Sequence, residues 1–333
     1  MMKRICVIIL HFFVFFFLSS FSDYPDFYKK QALKTIVIDA GHGLPNRNAE
    51  GKYSYESALT LAMALKLGQR LKAVLPDCNI IYTRTDENLP AGLTEVKAAN
   101  RWRAQFANEN HGDLFISIHV NNLKERYQRK IEGHRQETYT VTAGRGRKKR
   151  KVQKTRSVPI YKSYKLACNM AGTETYIWAV NKYDQKQNAV GSRDDDDQFG
   201  EHDSTGSYAE SADAKILASL RTKKYFDQSL AIATFVEEEF KKEGRTSYGV
   251  KQRNNEGIWV LQATNMPSIL VETGFICNPE EEDYLNSEKG QNEITYGIMR
   301  AVLRYKQLLE TGSGVLPADS TQNQPADTTA NKN

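Results

Sequence analysis

Cysteine is scarce in this sequence, with four in 333 residues. Cys6 lies inside the first apolar run, and Cys78, Cys168 and Cys277 are spread along the rest. Three scattered thiols make no disulfide framework, and none stands in the close pairs that hold zinc through thiolates. One disulfide can form, but the spacing does not choose it. Long apolar runs are also missing after the first twenty residues, and no internal repeat is visible. The single run, Ile5 to Leu18, is shorter than the roughly 20 residues of a membrane span. Lys3 and Arg4 precede it and the small residues Ser20 and Ser22 follow, so 1–22 reads as an export signal cleaved near Ser22 and Asp23. Cys6 is not placed just after the run, as a lipidation site would be. The expected workplace is the periplasm or cell envelope, with membrane contact only through the signal segment if it stays uncleaved.

What is present fits a globular chain. Hydrophobic residues make up 40% and the formal net charge is +6, but that charge is uneven. Residues 124–165 hold fifteen Lys or Arg against Glu125, Glu132 and Glu137, a balance of +12, which leaves −6 for the remainder. Apolar β-rich runs at Thr35–Asp39, Asn79–Arg84, Leu114–Val120, Glu174–Val180 and Ser268–Thr273 alternate with helical patterns at Glu56–Val74, Thr94–Asn108, Phe226–Lys242 and Asn292–Leu309. Such alternation predicts one α/β domain with a mostly parallel or mixed central sheet covered by helices on both faces. Two stretches, about 123–172 and 183–212, break the rhythm as insertions. The expected layout is the signal at 1–22, a linker at 23–34, a catalytic domain at 35–310 and a disordered tail at 311–333, whose sequence lacks apolar periodicity.

Histidine is the next rarity, with six in all, and only His42 and His119 terminate buried strands. His42 stands between two glycines in "VIDAGHGLPNRNAEGKYSYE", and His119 ends "DLFISIHVNN". Glu272 ends a further strand in "MPSILVETGF". In open α/β sheets such strand-end residues converge on one crevice. Together with Glu56, at a helix start, two imidazoles and a carboxylate make the His₂Glu set of a catalytic zinc with an open position for water. Glu272 is then free to act as base. Glu50 is the competing carboxylate, but no helix fixes its direction. Taken singly, each residue also has a plain structural role: a strand-end histidine as a hydrogen-bonded support, a helix-start glutamate as partner of the helix dipole.

The same residues resemble the zinc-dependent N-acetylmuramoyl-L-alanine amidases, which cut the peptide stem from peptidoglycan. The resemblance runs from about Thr35 to Lys306, interrupted by the two insertions. It rests on "IDAGHG", "YESALTLAMALKLGQRL", "YTRTD", "ANRWRAQFAN", "DLFISIHVN", "GTETYIW" and "YGVKQRNNEGIWVLQATNMPSILVETGFICNPEEEDYL" in that order. It implies one zinc held by His42, Glu56 and His119, and a catalytic Glu272. Leu44 stands where the family usually has another glycine and Ser57 where it usually has a lysine; neither removes a ligand. The implied reaction is hydrolysis of the amide between the muramoyl lactyl group and L-alanine, with Glu272 taking a proton from water and passing it to the leaving nitrogen. Ser117 and Cys277 are then structural. A non-catalytic peptidoglycan-binding protein with this fold, and a zinc peptidase acting on the stem peptide, are the alternatives.

Two segments stay outside that reading. The basic run "GRGRKKRKVQKTR" has no interleaved aromatics to stack bases and sits in a chain read as exported, so nucleic acid is not an expected partner. It reads as a solvated loop or as a surface for anionic wall or membrane polymers. The Asp-rich stretch 190–221 reads as an acidic loop that shapes the cleft. The alternative is a covering segment of the kind that, in some members of the resembled family, an activator protein removes.

Overall fold

Runs such as "IVIDA", "LFISI" and "SILVE" have no polar face to offer water, so their backbone can pair only as strands covered on both sides. The protein is seen here in a computed structural model, which describes residues 32–191, 212–255 and 257–315. Residues 34–302 form one unit. In chain order it contains β1 (Thr35–Ala40), α1 (Glu56–Val74), β2 (Asn79–Tyr82), α2 (Val96–Glu109), β3 (Leu114–Asn121), β4 (Tyr127–Ala143), β5 (Arg150–Lys165) and β6 (Thr173–Ile177). Then follow α3 (Tyr183–Gly191), α4 (Ala212–Lys242), β7 (Ser247–Gln252), α5 (Trp259–Ala263), β8 (Ser268–Phe275), α6 (Pro279–Asn286) and the start of α7 (Glu288–Thr311).

The six-stranded sheet runs β2-β1-β3-β8-β6-β7. β2, β1, β3 and β8 are parallel, and β6 meets β8 antiparallel. The predicted α/β class with a mostly parallel, mixed sheet is what forms. On one face Val37, Phe115, Tyr176 and Leu270 pack with Ala107 of α2 and Val260 and Leu261 of α5. The other face takes α1, whose every-fourth stripe of Leu59, Met63, Leu67 and Leu71 is buried. All eight positions of β8 are buried, so whatever polar groups it carries are held away from water by the sheet itself. The second unit comprises the two chain ends. In its described part, α7 ends at Thr311 before Gly312, whose φ of 75° suits the left-handed turn after a helix.

Several expectations shift. α1 spans the predicted Glu56–Val74. The helix expected at Phe226–Lys242 starts at Ala212, and its added turns expose Ile216 and Leu220 while burying Ala218, Thr222 and Tyr225; with small or polar residues on the buried side and large apolar ones outside, periodicity gave no signal. α3, which lies in the expected insertion 183–212, β7 and the short α5 and α6 were not expected, because half-buried or short elements show little periodicity. The basic insertion is a correction. It is not a solvated loop but an antiparallel ribbon, with β4 and β5 paired from Tyr127 opposite Lys165 to Ala143 opposite Arg150. Runs such as "TYTVT" and "VPIY" carry the β-branched and aromatic residues that favour strands, a preference that the count of charges obscured.

The cysteine question is also answered. Cys168, just after the ribbon, is bonded to Cys277, just after β8, across a sequence separation of 109, and Cys78 is not part of it. Closing so long a loop restricts the unfolded chain, so changing Cys168 and Cys277 together to serine is expected to lower stability by about 2–4 kcal/mol. Denaturant unfolding checks this; an unchanged midpoint would mean that the bond constrains nothing the fold does not already hold.

Candidate active site

β1 leads into the site through Gly41 and His42. A Cβ on Gly41 would lie 2.5 Å from Cε1 of His119, so only glycine lets that ring lie against the backbone. His42 itself has φ 59°, a left-handed conformation that side chains other than glycine seldom adopt and that persists only where the surroundings hold it. Two buried guanidinium groups do the holding. Arg103 donates to the carbonyl of His42 at 2.6 Å and to that of Ala40 at 2.7 Å. Arg84 donates to Ala40, Gly41 and Ser57 carbonyls at 2.7–2.9 Å. Beneath them Asp39 is ion-paired with Arg103 and accepts from the hydroxyls of Thr83 and Ser117, each at 2.6 Å. Burial alone would raise its pKa, but Arg103 and the two hydroxyls outweigh it and hold the carboxyl below its usual range.

Glu56 is the first residue of α1 and is 2% exposed. One oxygen accepts from the Val120 amide at 3.1 Å and the other from the Asn48 side chain at 2.7 Å. The first oxygen also lies 3.0 Å from Nδ1 of His119 and 3.3 Å from Nε2 of His42, and the two ring nitrogens are 3.2 Å apart. Three donor atoms thus face one point. Tetrahedral zinc with bonds of about 2.0–2.1 Å asks for donor separations of about 3.3–3.4 Å, so the set fits that ion. It also suits the protonation that binding needs. Burial above all, then His42, lowers the pKa of His119 toward neutral imidazole, while hydrogen bonds from both imidazoles overcome burial and hold Glu56 ionised. Among the described residues this is the possible three-residue metal site. Glu50, the competing carboxylate, is exposed on the cavity wall and outside the cluster.

Glu272 sits directly opposite His119 in the register of β3 and β8, and opposite Glu174 in that of β8 and β6. The two neighbouring glutamates are treated differently. Glu174 accepts from Asn121 at 2.6 Å and Tyr176 at 2.7 Å and is ion-paired with Lys251. Glu272 has only Arg253, at 3.4 Å, and its Oε2 is buried with no hydrogen-bond partner among the described residues. Burial, with the charge of Glu56 next, pushes Glu272 up to about 8 against the pull of Arg253. A buried carboxylate raised in this way can hold and release a proton near neutrality.

All four sequence-derived residues line one cavity of about 640 Å³, together with Arg253 and Trp259. Ser117 and Cys277 are spent on Asp39 and on the disulfide. The supporting roles of Asp39, Arg84, Arg103 and Arg253 were not foreseen; all four lay in the motif blocks, in "IDAGHG", "YTRTD", "ANRWRAQFAN" and the block that begins "YGVKQR", but nothing in a linear pattern says that an arginine points at backbone carbonyls. One test follows from the tight fit at Gly41. Gly41→Ala should displace the His119 ring and weaken zinc binding about 10- to 100-fold, the usual cost of disturbing ligand support. Zinc titration reads it, and undiminished affinity would show that the ring is free to shift.

A mixed α/β sheet that brings two imidazoles and two buried carboxylates into one cleft, three of these groups forming a possible metal site, has the makings of a hydrolase. The family model for N-acetylmuramoyl-L-alanine amidase, Amidase_3, matches residues 36–304, and the chain belongs to that family. A putative N-acetylmuramoyl-L-alanine amidase of Buchnera aphidicola subsp. Baizongia pistaciae is 27% identical over 81% of this chain and 95% of its own length. The N-acetylmuramoyl-L-alanine amidase AmiC of Neisseria meningitidis is 26% identical over 81% of this chain and 52% of its own. Among solved structures, the catalytic domain of CwlV, from Bacillus (Paenibacillus) polymyxa var. colistinus, superposes with a TM-score of 0.45 at 22% identity, covering 82% of this chain and 97% of that one.

Proposed function

We propose that this amidase hydrolyses the bond between the muramoyl lactyl carbonyl and L-alanine in peptidoglycan, with one zinc held by His42, Glu56 and His119 and with Glu272 carrying the proton. The observation that supports it best is the donor triangle of 3.0–3.3 Å beside a buried carboxylate that lacks a hydrogen-bond partner. Zinc bound there would polarise an amide carbonyl and make water a nucleophile near neutral pH. Glu272 then takes the proton of the attacking water and returns it to the departing alanine nitrogen, the step that an amine leaving group needs. Arg253, 44% exposed at the side chain and in contact with Glu272, restrains that carboxylate from the solvent side. Arg84 and Arg103 do not reach the reacting atoms; they hold the His42 turn in its left-handed form.

The catalytic domain of this proposal spans 35–310. Its workplace is outside the cytoplasmic membrane: the Cys168–Cys277 bond suits an oxidising compartment. No helix among the described residues is long and apolar enough to cross a membrane; the signal read at 1–22, like the tail from 316, lies outside them. An activator protein, if one acts here, would act on 190–221. Residues 192–211 of that stretch lie outside the described residues, and none of the described cavity-lining residues comes from α3 or α4.

Mass spectrometry of digested sacculi tests the reaction. Free stem peptides beginning with L-alanine, beside intact glycan strands, are expected. Fragments cut between amino acids would instead mark a stem peptidase, and no release at all a binding protein.

A further inference from the structure

The ribbon carries far more charge than the catalytic reading uses. Between Tyr127 and Lys165 there are thirteen Lys or Arg against two Glu. Those two are taken near the root and middle of the ribbon, Glu132 by Lys162 at 3.0 Å and Glu137 by Arg156 at 2.8 Å. The tip, 145–151, holds six cations and no carboxylate. At about 3.3 Å per residue each strand reaches roughly 50 Å, the scale of a polymer and not of a small molecule. Both faces of a two-stranded sheet are open, and Tyr127, Tyr139, Tyr161 and Tyr164 are exposed on them. Pairing puts arginines over two of these rings, Arg156 at 5.3 Å from Tyr139 and Arg129 at 4.6 Å from Tyr161. Aromatics therefore do accompany the basic run, though across the strands and not along the chain.

The root of the ribbon borders a cavity that shares a wall with the catalytic one. This second cavity, of about 910 Å³, is lined by Lys124, Arg126 and Lys165 and shares Glu50 and Asn122 with the first. Its lining is mixed, with Lys52 and the carboxylates Glu125, Glu280 and Glu282 beside them and Lys165 paired with Glu125, so the excess of positive charge lies farther out along the ribbon, toward its tip.

We propose that the ribbon is a second binding element for the substrate polymer, gripping the carboxylate-bearing stem peptides of peptidoglycan strands away from the bond being cut. The proposal rests on the amidase reading. Charge complementarity and the shared cavity wall favour the wall polymer over a membrane, since the tip "AGRGRKKRK" has no side chain that enters a bilayer as Trp, Phe or Leu would.

The test combines Arg145→Gln, Arg147→Gln, Lys148→Gln, Lys149→Gln, Arg150→Gln and Lys151→Gln in the full chain. Hydrolysis of a soluble muramoyl-peptide, too short to reach the ribbon, should equal that of the parent and so reports folding. Co-sedimentation with purified sacculi and peptide release from them should fall roughly tenfold at low salt, the gap closing as salt screens the parent. Equal sedimentation and release would overturn the proposal, as would a loss confined to phosphatidylglycerol vesicles or to a DNA duplex. A parent that cuts neither substrate would defeat the amidase reading instead, and sedimentation would still decide the ribbon.

Discussion

Glu272→Gln should leave the fold and the metal in place and lower amide hydrolysis by about 10²- to 10⁴-fold, the range for lost general acid–base help. The amide fills the same space in β8 but cannot take a proton. The parent rate should climb with pH as Glu272 ionises, and the variant should lose that limb. Stability without metal moves in a related way. The carboxyl is raised from 4.5 to about 8 in the fold, so its contribution is fully present below pH 4.5 and is lost as pH rises through 8. Glutamine does not ionise. The metal-free variant should therefore gain on the parent between those values, by an amount on the order of 1–3 kcal/mol, and match it in acid. A variant that lost zinc as well as rate would make Glu272 a ligand, and one of unchanged rate would remove it from the reaction.

His42→Ala should abolish stoichiometric zinc and with it nearly all turnover. Two of three donors remain, but the triangle of 3.0–3.3 Å loses a corner, and Nδ1 of His119 and Glu56 Oε1 are left to each other at 3.0 Å as a hydrogen-bonded pair. Chelation of the parent should act alike, except that added zinc restores it and does not restore the variant. Metal content by mass spectrometry beside turnover on sacculi reads both. Full activity in a zinc-free variant would mean that the donor set is structural.

Much of the site was legible because its groups sit where regular elements end. A histidine after "VIDAG", another after "LFISI" and a glutamate in "SILVE" belong to strands whose apolar runs are plain, and parallel strands bring such positions to one edge. Glu56 was legible through the stripe that places it at the first turn of α1. What no pattern announced was the support. Arg84 and Arg103 act on backbone carbonyls, Asp39 acts on Arg103, and each partner lies some twenty to sixty residues away.

By itself the sequence determined the class of fold, five of the sheet's six strands and four candidate residues for the chemistry, because burial and periodicity are local properties of the chain. Only the tertiary structure decided which atoms meet. It paired Cys168 with Cys277, turned a run of charges into a ribbon by matching β4 to β5, and placed Nε2 of His42, Nδ1 of His119 and one oxygen of Glu56 within 3.3 Å of one another. It also separated two adjacent glutamates, giving Glu174 three partners and leaving Glu272 with one distant arginine. The reason is that charge state and metal affinity depend on neighbours within a few ångströms, and those neighbours come from strands far apart in the chain.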